Sequence, residues 1–375
     1  MGRRVVGIVL GAVVVLTGSP ALADEPAAVQ VVEAPKVAGT PRYQQTLSVV
    51  AGTYDPAAAS EAVQWLRDGQ PIAGATARTR TLTNADVGHR LSARVTVSAP
   101  DHSSTVVSTD VVSVRGASLT YTRKPSVSGT RRYGRTLTAH PGLWKGGTPT
   151  IRYQWVRDGK PIRGATRKTY ALRVADPGHR VTARVTASRR YHETRTVKIA
   201  SPGVTRHRRD IRKVVTYSVV ADGVPTSRLA VVRRSLVQTY QDARGWRASG
   251  VKLVRVARGG SFTVVLAAPS RVPRYSSVCS TRFSCRVGRH VILNDARWRG
   301  ATRTWRAAHR SLRDYRHMVV NHETGHWFGK NHAGCSARGS LAPVMMQQSK
   351  GLAGCRPNPW PKLSELGLPR FGWRP

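Results

Sequence analysis

A repeat with a period of 90 residues runs from about residue 37 to residue 202, and it limits how that part of the chain can fold. Gly39-Thr40-Pro41-Arg42-Tyr43 returns as Gly129-Thr130-Arg131-Arg132-Tyr133, and Gln64-Trp65-Leu66-Arg67-Asp68-Gly69 returns as Gln154-Trp155-Val156-Arg157-Asp158-Gly159. Asp86-Val87-Gly88-His89-Arg90 likewise maps onto Asp176-Pro177-Gly178-His179-Arg180. Each copy must therefore close its own small core. Alternating stretches such as Leu91-Ser92-Ala93-Arg94-Val95-Thr96-Val97, separated by Asp-Gly turns, are hairpin patterns. Roughly seven short strands in each copy, with a Trp just before an Asp-Gly turn, predict a two-sheet sandwich with Trp65 and Trp155 between the sheets.

The Asp86-x-Gly88 and Asp176-x-Gly178 turns, each leading into an alternating strand, resemble the corner of immunoglobulin-like domains. On these residues the two copies, expected over 34–115 and 123–203, are similar to immunoglobulin-like repeats of bacterial surface proteins. Neither copy contains a cysteine, so packing must hold the sheets together without an inter-sheet disulfide.

The remaining composition bears on location. Arg3-Arg4, an apolar run over 5–16 and Ala21-Leu22-Ala23 have the three parts of an export signal, predicting a signal peptide over 1–23. No later run reaches the length of a membrane span, so the mature chain is expected to be secreted, or held at the cell surface without a covalent or membrane anchor. The formal net charge is +42, which attracts polyanions. An exported chain seldom meets nucleic acid, so none is expected, and anionic cell-wall polymers become the candidate partner of the basic repeats. An Arg-rich genome explains the same composition equally well. Cys279, Cys285, Cys335 and Cys355 are an even set in an exported chain; three pairings exist, and chain order favours Cys279 with Cys285 and Cys335 with Cys355. Free or metal-bound thiols are the alternative.

A charged linker is expected over 204–212, followed by a domain over 213–375. Its pattern predicts strands over 213–220, 252–256, 262–267 and 290–294, and an amphipathic helix over 225–246. From Ser311 onward, Leu312, Tyr315, Val319, His322 and His326 advance by three and four, one face of a helix, with Ser311 and Asp314 as a capping pair.

On that helix lies His322-Glu323-Thr324-Gly325-His326-Trp327-Phe328-Gly329-Lys330-Asn331-His332. Residues four apart lie about 40° apart around a helix and about 6 Å along it, so His322 and His326 can share one ion. His332 would be about 15 Å from His322 on a continuous helix, so the chain has to turn back, and Gly329 stands where that turn falls. Three imidazoles leave a fourth tetrahedral position on zinc for water, beside Glu323. His192-Glu193-Thr194 repeats the tripeptide, but Thr196 replaces the second histidine, and an exposed strand is expected there.

The extended motif, followed by Met345 and Met346, resembles the metzincin zinc peptidases, and within them the matrixin version. Together with Asn321 and Gly354-Cys355-Arg356-Pro357-Asn358-Pro359-Trp360, the domain is similar to exported bacterial domains predicted to be zinc peptidases. The resemblance implies His322, His326 and His332 as ligands of one Zn²⁺, Glu323 as general base, and Met345, with Met346 as the alternative, in a turn beneath the metal. The expected architecture is multidomain: two all-β immunoglobulin-like sandwiches followed by an α+β metzincin-like domain. The expected function is a zinc metalloendopeptidase acting on protein or peptide substrates. The alternatives are a catalytically inactive, zinc-stabilised adhesin of the cell envelope and a zinc amidase acting on peptidoglycan.

Overall fold

The structure, a computed structural model, describes residues 26–57 and 59–367. The expected signal peptide lies outside the described residues. The chain divides into two compact units. One runs to Leu119 and takes in Ser188–Arg195; the other is Thr120–Ala187 with Thr196 onward. The molecule is largely β-sheet.

The first sandwich sets a three-stranded sheet, Lys36–Ala38, Thr46–Val50 and Thr79–Thr81, beside a five-stranded sheet built on Ser60–Arg67 and Arg90–Ser98. The expected alternation holds: Leu91, Ala93, Val95 and Val97 are all buried against Trp65. Asp68 and Gly69 both adopt positive φ, 49° and 81°, the two-residue turn that matches strand twist. The second copy repeats the plan with Trp155 buried in its own core. In place of a disulfide, each sandwich buries one aspartate. Asp86 receives Arg67, Arg80 and the Thr83 amide; Asp176 receives Arg157, the Tyr170 hydroxyl and the Arg173 amide. Burial pushes the Asp86 carboxyl up, but the Thr83 amide and the two guanidiniums outweigh it and hold the group below the usual carboxylate range.

Three boundaries differ from expectation. The first sandwich begins before residue 34, because Gln30–Glu33 pairs with Thr53–Asp55 and Val29 is buried in the core. The second begins slightly before residue 123, because Tyr121–Arg123 pairs with Leu143–Trp144. The 204–212 linker is shorter than predicted: Thr205 is buried, its amide donates to His179 O, and Arg206 exchanges backbone hydrogen bonds with Arg131 and Tyr133, closing the second sandwich. The rest of the segment is tied down as well. Asp210 pairs with Arg132 at 2.6 Å, and Arg247 donates to Arg209 O. The second sandwich and the C-terminal domain thus belong to one compact unit.

The C-terminal domain is a mixed sheet with helices packed on it. Strand β1 (Lys213–Asp222) lies between β2 (Val251–Arg255) and β3 (Phe262–Ala267), all parallel. Beyond β3 come parallel β5 (His290–Asn294) and, at the edge, antiparallel β4 (Cys285–Val287). The disulfide Cys279–Cys285 tethers β4, and Cys335–Cys355 closes a loop that contains Met345. Helix α1 (Leu229–Gln241) is shorter than the predicted 225–246: Thr226–Arg228 and Trp246–Ser249 are 3₁₀ turns, and Asp242 breaks the helix by turning extended at ψ 132°. Short helices α2 (Asp295–Gly300) and α3 (Arg303–Ala307) lead to α4 (Leu312–Trp327). One core joins Tyr217, Leu236, Tyr240, Phe262, Leu293, Tyr315, Val320 and Phe328, so α1 and α4 are fixed on the sheet. Among the described residues no helix is long and apolar enough to cross a membrane.

Candidate metal centre

The centre is built on α4. Ser311 caps the helix, its hydroxyl accepting from the Asp314 amide at 3.0 Å. Ten residues of α4, from Tyr315 to Gly325, are buried, including His322, Glu323 and Thr324. Burying polar groups on a helix costs free energy that partners offset, and most but not all of these groups have one: Asn321 Oδ1 is buried without a partner. Thr324 meets the Tyr240 hydroxyl at 2.8 Å, and Asn321 donates to Pro359 O. The helix ends at Phe328, and Gly329 at φ 77° reverses the chain, a conformation open to glycine without steric cost. The reversal carries His332 back to the histidines of the helix.

The three Nε2 atoms converge. His326 Nε2 lies 3.1 Å from His322 Nε2 and 3.1 Å from His332 Nε2. The other nitrogens of the two helical histidines face carbonyls, His322 Nδ1 toward Val344 O and His326 Nδ1 toward Lys330 O, both at 2.8 Å. A carbonyl only accepts, so each Nδ1 carries the proton and each neutral ring turns a bare lone pair to the other. Lone pairs 3.1 Å apart repel unless a cation lies between them. Three nitrogens on a tetrahedral ion with bonds of about 2.05 Å stand about 3.3 Å apart, close to the observed spacing. The donor set therefore fits zinc. Electrostatics agree: burial first, then neighbouring rings, lowers His322 to about 3, and burial lowers His326 to about 4. His332 is also lowered, by burial and by Lys350.

Glu323 lines the same cleft, about 360 Å³ in volume, with His322, His326 and His332. Burial raises its carboxyl to about 8, against an opposing pull from Arg286. Met345 does not line the cleft but is buried against α4 beside the motif. A Cβ on Gly325 would collide with Met345 Sδ and stand 2.9 Å from Trp246 Cζ2, so the helix approaches the methionine as closely as a residue without a side chain allows. Met346 packs elsewhere, with Ala342 and the Cys335–Cys355 disulfide. The structure thus brings together His322, Glu323, His326, His332 and Met345. The cysteines pair locally, and Cys279 and Cys285 border the cleft.

Sequence reasoning missed Glu365. Its carboxylate accepts the Met345 amide at 2.9 Å, the Val344 amide at 3.0 Å and the Lys362 amide at 2.7 Å, clamping the turn beneath the histidines. The signal was scarcity: with 19 acidic residues against 61 basic ones, each carboxylate calls for an account. Arg286 and Lys350, which also line the cleft, were hidden in that basic majority.

Residues 184–358 match the family described as "Protein of unknown function (DUF3152)". The match starts inside the second sandwich and spans all three histidines. No curated protein is similar at a significant level. Among solved structures, the tandem Ig repeats of Dlar are 11% identical over 44% of this chain and 95% of that one, with a TM-score of 0.15. Fibronectin(III)-like modules of Clostridium thermocellum CbhA are 17% identical over 47% and 90%, at 0.17. Three N-terminal domains of the bacteriophage RB49 Hoc protein are 19% identical over 52% and 65%, at 0.21. Scores this low carry no functional argument.

Proposed function

We propose that the C-terminal domain is an α+β, metzincin-like zinc peptidase of an exported protein. The observation that carries the reading is the convergence of three imidazole Nε2 atoms, two with Nδ1 committed to carbonyls, beside a buried glutamate in an open cleft. His322, His326 and His332 would hold the ion. Zinc, when bound, supplies Lewis acidity that polarises the scissile carbonyl and makes water a nucleophile near neutral pH. The positive charge of such an ion would favour the ionised form of Glu323 against its burial, and that carboxylate would take a proton from water and return it to the departing amine. The clamp of Glu365 on Val344 and Met345 keeps Val344 O against His322 Nδ1, fixing the ring so that Nε2 faces inward.

Two disulfides support export, since such bonds persist in oxidising compartments. The second sandwich carries a groove of about 410 Å³ edged by Arg180, Arg184 and Lys198, which supports anionic cell-wall polymers as partners of the repeats.

The deciding experiment exposes a mixed peptide library and purified peptidoglycan to the zinc-loaded chain and to its Glu323→Ala variant. Peptide cuts lost in the variant establish the peptidase. Cuts confined to peptidoglycan convert the reading to an amidase, and a folded, zinc-bound protein that cuts neither overturns the enzyme reading in favour of the inactive, zinc-stabilised adhesin.

A further inference from the structure

The cleft is asymmetric in charge. Its lining includes two cationic side chains, Arg286 and Lys350, and one carboxyl, Glu323. Arg286 lies on the edge strand β4, where pairing with Val291 and the neighbouring Cys279–Cys285 disulfide hold its backbone. Lys350 comes from the far side of the motif in sequence, five residues past Met345, with its ammonium 5.7 Å from the Phe283 ring. Both act on the centre at a distance: Arg286 on Glu323 and His326, Lys350 on His322 and His332.

Among the described residues neither cation touches a carboxylate of the protein: the ion pairs within 4.0 Å involve neither Arg286 nor Lys350. Arg286 Nε, moreover, is buried without a hydrogen-bond partner. A buried guanidinium nitrogen left unpaired costs free energy, and a guanidinium is shaped to grip a carboxylate with two parallel hydrogen bonds. Phe283, Met318 and Val319 add apolar surface to the lining, which strengthens a charge pair formed there.

We propose that Arg286 and Lys350 select the substrate by binding a carboxylate beside the bond to be cut, so that the cleft takes acidic peptides. This deepens the peptidase reading and rests on it. The carboxylate comes either from an Asp or Glu side chain or from a free C-terminus, and the two sources are separable by experiment.

The zinc-loaded full chain is given matched peptides with Glu, Gln or Lys at each position flanking the cut, each with a free or an amidated C-terminus. The native protein is expected to favour Glu over Gln at one flank by at least about tenfold in kcat/KM, in KM more than in kcat. If amidation rather than the Glu-to-Gln change removes the preference, the carboxylate is the terminal one and the proposal stands in that form. Arg286→Gln and Lys350→Gln are expected to bring the ratio toward one, and Lys350→Glu to shift preference toward Lys. Equal rates for charged and uncharged peptides, or a ratio unchanged in both glutamine variants, would overturn the proposal while leaving the peptidase intact.

Binding is measured separately, by titrating a fluorescent Glu-containing peptide and its Gln counterpart into the Glu323→Ala protein. With each peptide taken in free and amidated form, an advantage of the Glu side chain or of the free C-terminus that is lost in the Arg286→Gln background supports the carboxylate site even if no peptide is ever cut; equal affinities of all four peptides refute it.

Discussion

The tripeptide His-Glu-Thr occurs twice, and its two settings share nothing but the letters. At 192–194 the first two residues form a short strand paired with Ala117–Ser118, Thr194 is exposed, and Glu193 pairs with Arg42 at 2.7 Å. At 322–324 the same residues are buried on α4, where His322 faces two other imidazoles, Glu323 enters the cleft and Thr324 is bonded to Tyr240. A two-residue strand period sends neighbouring side chains to opposite faces, whereas a helix brings positions four apart together. The element, not the tripeptide, decides whether a second and third histidine can arrive.

This comparison breaks most sharply at the glutamates. Glu323→Gln is expected to lower kcat for peptide hydrolysis by about 10²- to 10⁴-fold while zinc, measured by elemental analysis, stays bound. Glu193→Gln is expected to leave hydrolysis untouched; equal losses in the two variants would end the distinction. The histidines come next. Removing zinc with a chelator should cost about 3–4 kcal/mol of stability when the free ion had stood at about 100 to 1,000 times its dissociation constant. His322→Ala should abolish this shift in thermal unfolding, and His192→Ala should preserve it. At the threonines, Thr324→Val leaves the buried Tyr240 hydroxyl without its partner and should cost about 1–3 kcal/mol in denaturant unfolding. Thr194→Val, at an exposed site, should stay within about 0.5 kcal/mol. The smallest effect belongs to the Arg42–Glu193 pair. Both partners are partly solvated, so its removal in Glu193→Gln should cost no more than about 1 kcal/mol and vanish in high salt.

The features legible in the sequence were those that short-range pattern encodes. Leu91, Ala93, Val95 and Val97 declare their buried face by alternation, and His322 and His326 theirs by helical spacing; Gly329 marks the reversal because its φ of 77° is a local demand. The repeat ends were harder. Gln30–Glu33 is exposed at every position and shows no alternation, so only its pairing with Thr53–Asp55 reveals it as a strand. The 204–212 segment read as a linker because its charges are dense, yet Thr205 and Arg206 are claimed by partners far away in sequence. The predicted 225–246 helix ran too long because apolar spacing continues past Gln241, where an extended Asp242 ends it. Glu365 stood out only by the scarcity of acidic residues, and its partners were hidden for the same reason as the linker's: nothing near it in sequence tells that its oxygens reach the Val344 and Met345 amides.

That clamp also sets an order of assembly. A ribosome delivers His322, His326 and His332 before it delivers Glu365, so a growing chain holds all three histidines while the turn against them is still unfastened. Among the residues of the cluster, the last to be synthesised is the one farthest from the convergent nitrogens in role, and Val344 O is fastened against the ring of His322 only when that late carboxylate arrives.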